Sequence, residues 1–179
     1  MNNFYVVDNF VSESFSEHLE NLLQMTFFPW FYHDGTIEGR KQGDSPQFVH
    51  SFFENPKIES DYYHEVTPII AMAEKHFDIN IDNIRRVKSN FLYKNNLKFH
   101  HPIHEDEAIG HLSLIYYVND SDGDTVLYRP NNEKYCISPR KGRLLAFPSH
   151  WQHASSSPII HDTRIVINYV LAPRNMPND

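Results

Sequence analysis

Residues 110–129 read Gly110-His111-Leu112-Ser113-Leu114-Ile115-Tyr116-Tyr117-Val118-Asn119-Asp120-Ser121-Asp122-Gly123-Asp124-Thr125-Val126-Leu127-Tyr128-Arg129. Two short runs rich in apolar, β-branched and aromatic residues, 110–118 and 124–129, lie on either side of a turn segment, the pattern of strands rather than of a helix. Asp122-Gly123 between them is a natural hairpin dipeptide, because glycine tolerates the backbone angles a tight turn demands. Working outward, the same pattern predicts strands near 86–93, 134–138, 143–147 and 163–171, with Pro139 to Gly142 as a further turn. In the first of these, Val87, Ser89, Phe91 and Tyr93 share one face and the polar Lys88 and Asn90 the other, the period of two that a strand imposes.

Upstream the period changes. After a short strand at Phe4 to Val7, the residues Phe15, Leu19, Leu22 and Leu23 recur at helical spacing and predict a helix from Ser14 to Met25, with Ser12 or Ser14 as its cap. Val66, Ile69, Ile70, Ala73 and Phe77 predict a second helix, regular from about Pro68 because an interior proline would lose a hydrogen bond. Helices followed by many short strands define an α+β chain whose β part is a sandwich or barrel. No repeat or linker divides the chain, so residues 1–179 are expected to form a single domain. Between the helices, Phe27 to Phe53 is irregular. It predicts a flap that closes over a site, with Trp30 and Tyr32 as an aromatic wall and Gly35, Gly39 and Gly43 as points of mobility.

Composition narrows the function. With 40% hydrophobic and 14% aromatic residues the chain has too much apolar material to stay disordered. A net charge of −7 and the absence of any long Lys/Arg block argue against nucleic acid as a partner. No uncharged apolar run reaches the length of a membrane span and the start lacks a basic leader, so a cytoplasmic protein without a membrane partner is expected. Cys136 is the single cysteine, so no internal disulfide and no thiolate zinc site can form, and it is expected to be a small buried hydrophobe. The 12 histidines, in contrast, concentrate between His100 and His161, and imidazole is a common transition-metal ligand.

Two histidines and a carboxylate on one side of a non-haem iron leave positions open for a cosubstrate and O2. The local sign of such a triad is His-x-Asp, since i and i+2 on an extended segment point the same way. The chain has two matches, and His76-Phe77-Asp78 falls at the end of the predicted second helix, where those side chains diverge. His104-Glu105-Asp106 is therefore the candidate pair. A third ligand must come from a distant strand, and Ser149 to Ser156 offers His150 and His153, with Arg164 opening the last strand beyond them. Charge supports the set: Fe(II), Asp106 and a dicarboxylate 2-oxoacid together carry one negative charge, which a buried guanidinium would neutralise while gripping the far carboxylate bidentately. Tyr93 and Tyr117 are available as hydroxyl donors.

The run from His104 to Leu171, with its Asp122-Gly123-Asp124-Thr125 turn, His153-Ala154-Ser155-Ser156 and Arg164 to Tyr169, resembles the 2-oxoglutarate and Fe(II)-dependent oxygenases. It is most similar to their prolyl-hydroxylase-like branch, of the small microbial or viral type, and the opening around Asp8-Asn9-Phe10 resembles that family's start. The resemblance implies a double-stranded β-helix, a distorted cupin-like jelly roll flanked by N-terminal helices. It also implies iron ligands at His104, Asp106 and His153, Arg164 on the 2-oxoglutarate C5 carboxylate, and Tyr93 and Tyr117 as cosubstrate-binding tyrosines. Implied cofactors are Fe(II), 2-oxoglutarate and O2, with ascorbate as an accessory reductant. The implied reaction is hydroxylation with succinate and CO2 as coproducts. A peptidyl proline is the first substrate to consider, beside another protein or peptide side chain or a small metabolite. Where collagen-type prolyl 4-hydroxylases carry Lys, this chain has Arg164, and where related oxygenases place a hydroxyl residue two positions on, it has Val166. A non-catalytic metal-binding jelly-roll module is the reading from a different class. A nucleic-acid demethylase is disfavoured because Val170 stands where a second arginine would be, and halogenation because Asp106 occupies the position a halide needs.

Overall fold

The computed structural model describes residues 3–37, 39, 42, 44–96 and 99–177. The chain opens with strand β1 (Tyr5–Val7) and helix α1 (Glu13–Gln24), whose Ser12 cap accepts a hydrogen bond from the Phe15 amide at 3.3 Å. There follow β2 (Phe31–His33), β3 (Gln47–Glu54), the two-residue β4 (Lys57–Ile58), a short helix α2 (Tyr63–Val66) and α3 (Pro68–Phe77). Pro68 sits in the first turn of α3, where its missing N–H costs nothing, and Asp78 ends the helix in the left-handed conformation. Seven strands complete the described chain: β5 (Ile81–Tyr93), β6 (Leu112–Tyr117), β7 (Thr125–Tyr128), β8 (Lys134–Ile137), β9 (Leu144–Pro148), β10 (His153–Ser155) and β11 (Thr163–Pro173).

The strands form two antiparallel sheets. The larger runs β1-β9-β6-β11-β5-β3-β2, with β4 added to β3, and the smaller runs β10-β7-β8. Alternation along the strands sorts side chains onto the two faces of the large sheet. Leu114, Tyr116, Ala146, Ile165, Ile167, Tyr169, Val87 and Phe91 join Leu19, Leu23, Ile69, Ile70 and Ala73 of the helices in the main core. Ile115, Tyr117, Leu145, Phe147 and Val166 point the other way, onto Leu127, Ile137 and Trp151 of the small-sheet side. Each fully enclosed Leu or Phe contributes about 1.5–3 kcal/mol to this sandwich. Tyr116 hydrogen-bonds Ser16 of α1 at 3.1 Å, which ties the helix layer to the sheet.

Three expectations need correction. Asp122-Gly123 does not make a hairpin, because β6 pairs with β11 and β9 while β7 pairs with β8 and β10. The dipeptide instead carries the chain from one sheet to the other, and the Asp122 carboxylate accepts the amides of Ile159, Ile160 and His161. Residues 27–53 are not an irregular flap throughout: β3 pairs with β5 and β2 with β3, extending the large sheet by two strands. Cys136 is exposed on β8 rather than buried, since the residue alternates with the inward-facing Ile137.

Candidate metal centre

β5 and β11 pair along their lengths, with Leu92 opposite Arg164, Asn90 opposite Val166 and Lys88 opposite Asn168. These alternate residues face away from the helices and, with Ile115 of β6, floor a cavity between the sheets. Thr125 of β7, and His153 and Ser155 of β10, roof it from the small sheet. His104 and Asp106 enter from the connection between β5 and β6. His104 exchanges both backbone hydrogen bonds with His153, at 3.0 and 2.9 Å, and the Asp106 amide donates to the Ser149 carbonyl at 3.0 Å. This backbone pairing brings the two histidine rings to 4.4 Å between centroids. One ligand atom from each of His104, Asp106 and His153 lies within 4.8 Å of the others.

The hydrogen bonds around the triad prepare it for a metal. Nδ1 of His104 lies 3.3 Å from the Pro102 carbonyl and Nδ1 of His153 lies 3.1 Å from the Trp151 carbonyl. A carbonyl only accepts, so each Nδ1 carries the proton and each Nε2 presents a lone pair. Burial, reinforced by His153, lowers the His104 pKa to about 4, so its ring is neutral and able to coordinate at neutral pH. Burial alone would push the Asp106 carboxyl up, but His153, Arg86, His104 and the Ser113 hydrogen bond outweigh it and hold the group well below the usual carboxylate range. Asp106 accepts from Arg86 Nη2 at 2.8 Å on one oxygen, and from Ser113 Oγ at 2.8 Å and Asn168 Nδ2 at 3.2 Å on the other. Two imidazole nitrogens and one ionised carboxylate are the donor set that suits non-haem Fe(II), and the residues fit it.

Arg164 occupies the same cavity. Its Nε donates to the Gly123 carbonyl at 2.6 Å and its Nη2 to Thr125 Oγ1 at 2.8 Å, yet no described carboxylate lies within salt-bridge distance. A buried guanidinium held only by neutral acceptors is suited to meeting an anion. Tyr117 stands one hydrogen bond behind the cavity wall: its hydroxyl donates to Thr125 Oγ1 at 2.8 Å, and burial pushes its pKa up to about 12. Tyr93, expected to bind the cosubstrate, does not line the cavity. It shares the outward face of β5 with Phe91 and is 57% exposed, packed against Phe91 and Phe48, while its neighbour Leu92 takes the inward position.

His150 is not part of the cluster and lines a separate cavity with Glu105, Tyr128 and Trp151. His76 lies in the last turn of α3 and Asp78 caps it, and neither joins the cluster. Of the expected aromatic wall, Trp30 is core material, its Nε1 donating to the Leu23 carbonyl at 3.2 Å and its ring packed edge-on to Phe91. Tyr32 is exposed against Phe48. Gly43 lies outside the described residues. The part of this segment that does reach the site is Thr36 and Gln47, with Asp44 pinning the Thr36 amide and hydroxyl at 2.9 and 2.6 Å. Lys88, Asn90, Asn168, Arg86, Ser113, Thr125, Thr36 and Gln47 were not anticipated as site residues. The signal for Lys88, Asn90 and Asn168 was parity, since they share a strand face with Leu92 or Arg164.

A family profile of the 2OG-Fe(II) oxygenase superfamily matches residues 73–171, and the chain belongs to that superfamily. No curated protein sequence matches. Among solved structures, a 2OG-Fe(II) oxygenase family oxidoreductase from Burkholderia pseudomallei superposes with a TM-score of 0.72 at 12% identity, covering 94% of this chain and 85% of that one. A Pseudomonas putida prolyl-4-hydroxylase gives 0.66 at 11% identity, over 98% and 95% of the two chains. A Trichoplax adhaerens prolyl hydroxylase, solved with a hypoxia-inducible-factor oxygen-degradation-domain peptide fragment, gives 0.63 at 18% identity, over 96% and 84%. The fold is the double-stranded β-helix of these oxygenases, and the family's cofactors are Fe(II), 2-oxoglutarate and O2. No helix among the described residues is long and apolar enough to cross a membrane.

Proposed function

We propose that residues 1–179 form one oxygenase domain that hydroxylates an organic substrate, a peptidyl proline being the first candidate. The observation that carries this reading is the placement of His104, Asp106 and His153, with both Nε2 atoms presented, in one cavity with the unpaired guanidinium of Arg164. His104, Asp106 and His153 would hold Fe(II). Arg164, steadied by Gly123 and Thr125, would take the far carboxylate of 2-oxoglutarate, and Tyr117 would orient Thr125 from behind. Iron(II), once bound, couples the oxidative decarboxylation of 2-oxoglutarate to succinate and CO2 with insertion of the second oxygen atom into a substrate C–H bond. The chain's own part is placement: Arg86, Ser113 and Asn168 fix the Asp106 carboxylate, and the enclosing sheets keep water from the reacting atoms. The proline preference draws on the prolyl hydroxylases among the structural neighbours. The substrate would lie in the open groove of about 790 Å³ that adjoins the cavity, lined by His33, Gly35, Val49, Arg86 and Glu105.

Isothermal titration with Mn(II) and then 2-oxoglutarate tests the centre. Wild type should bind both, and Asp106→Ala should lose the metal. Equal metal affinity in the two proteins would overturn the assignment. With Fe(II), ascorbate and a peptide library, oxygen addition at proline read by mass spectrometry supports the substrate reading, whereas addition at another residue type replaces it.

A further inference from the structure

The cavity and the groove meet at Lys88, which lines both. Its surroundings are committed elsewhere. Asp106, a buried carboxylate of the same cavity, accepts from Arg86, Ser113 and Asn168 and not from Lys88. The Lys88 ammonium makes no hydrogen bond or ion pair with any described residue, although Asp106 and the exposed Glu54 both act on it electrostatically. Directly across the β5–β11 pair stands Asn168, 7% exposed. Its Nδ2 must be the atom that donates to Asp106, because a carboxylate cannot donate, and its Oδ1 is buried with no partner. A half-buried ammonium with no described partner thus lines both the cavity and the groove beside the triad, next to an amide whose oxygen is left orphaned.

On the oxygenase reading the cosubstrate's far carboxylate falls to Arg164, whose backbone stands further along β11 than the position paired with Lys88. Lys88 pairs with Asn168 in register and Arg164 with Leu92, four residues apart along β11, or about 13 Å at ~3.3 Å per residue. Charge points the same way. Fe(II), Asp106, 2-oxoglutarate and Arg164 sum to zero, so Arg86 and Lys88 leave a cationic excess at the mouth of the cavity. Asp34, Glu54 and Glu105 on the groove's rim are solvent-exposed and offset this only weakly. We propose that Lys88 is the substrate-selecting residue of this oxygenase, and that it recognises a carboxylate on the substrate. The inference rests on the oxygenase reading above and narrows its substrate class to carboxylate-bearing molecules. Burial and the neighbouring Arg86 lower the Lys88 pKa to about 8, which still leaves it mostly protonated at neutral pH.

The carboxylate can belong to a small acid or to an acidic peptide, and the test has an arm for each. Wild type, Lys88→Met and Lys88→Arg are loaded with Mn(II) and 2-oxoglutarate, so that binding is read without turnover. They are titrated with N-acetyl-L-proline and its methylamide, and with Ac-Gly-Asp-Pro-Gly-amide and its Asn counterpart. Within at least one pair, the acid should bind wild type at least tenfold more tightly than the neutral partner. Lys88→Met should erase that preference and Lys88→Arg retain most of it, with Mn(II) and 2-oxoglutarate affinities unchanged in both variants. A preference confined to the first pair assigns a small acid, and one confined to the second assigns an acidic peptide. If no pair shows a preference, if Lys88→Met keeps it, or if Lys88→Met weakens 2-oxoglutarate instead, the proposal is overturned. Failure of wild type to bind Mn(II) or 2-oxoglutarate at all would instead strike the oxygenase reading.

Discussion

His101 is 1% exposed, with its two ring nitrogens 3.0 Å from the hydroxyls of Ser155 and Ser157. Burial lowers its pKa to about 4, and Arg164 and His100 add to the effect against the pull of Asp44. Above its ordinary value of 6.5 the ring is neutral whether the chain is folded or not. As pH falls from 6.5 towards 4, the unfolded chain takes up the proton and the folded chain does not, so stability is lost across that window and levels off below it. The loss at this one site is about 3 kcal/mol at most, given ~1.4 kcal/mol per unit of pKa. Urea melts of the metal-free protein at pH 7 and pH 4.5 should show it, and His101→Asn should be the less pH-sensitive protein; equal slopes in the two would assign the sensitivity elsewhere. At this scale the sequence was legible for the clustering of His104, Asp106 and His153 and for the place of Arg164 in the same cavity, because a spacing rule and a charge sum converge on them. It was misleading for Tyr93. A hydroxyl donor was sought by residue type, whereas the parity that groups Tyr93 with Val87 and Phe91 already placed it on the helix-facing side, where it now packs.

The crossing from β6 to β7 turns on Gly123. A Cβ built there would clash with the Ser156 carbonyl oxygen and meet Arg164 Cδ and the Pro158 nitrogen at 3.0 Å each. Two of these are backbone, so the neighbours cannot yield by a rotamer change. Gly123→Ala should therefore cost about 1–3 kcal/mol of stability, the usual range for overpacking. It should also displace Arg164, whose Nε is held by the Gly123 carbonyl, and weaken 2-oxoglutarate several-fold while Mn(II) binding persists. Denaturant melts and ligand titration check the two halves, and unchanged 2-oxoglutarate affinity would show that Arg164 is anchored from elsewhere. Elements proved readable where period and length agree, as in α1, α3, β5 and β11. The pairing of strands was less so. Asp122-Gly123 satisfies the local rule for a hairpin, but the rule does not see that the apolar face of β6 is better buried between β11 and β9. β2 and β3 were missed because glycines and prolines around them mask an aromatic alternation that only the edge of β5 completes.

At the scale of the whole molecule, an α+β sandwich followed from helical periods giving way to strand periods, and the family from motifs spread between residues 104 and 171. What no local pattern could supply is how the two sheets are joined at the site. The reciprocal amide bonds between His104 and His153 close that junction, and the ligand atoms of the triad come from both sides of it. A metal held by these three residues would consequently be a clasp as well as a reagent, and its occupancy would add directly to the free energy of unfolding. Mn(II) at 100 times its dissociation constant should add about 2.7 kcal/mol. In a chain of this length that raises the melting temperature by about 5–10 °C in calorimetry, with no rise for Asp106→Ala. A shift in both proteins would place the cation elsewhere. Seen from inside a cell, such a clasp would make protein lifetime a gauge of metal supply: copies synthesised during iron shortage would open at the sheet junction more often, meet proteases sooner and be cleared first, so that abundance, and not only catalytic rate, would follow the iron available.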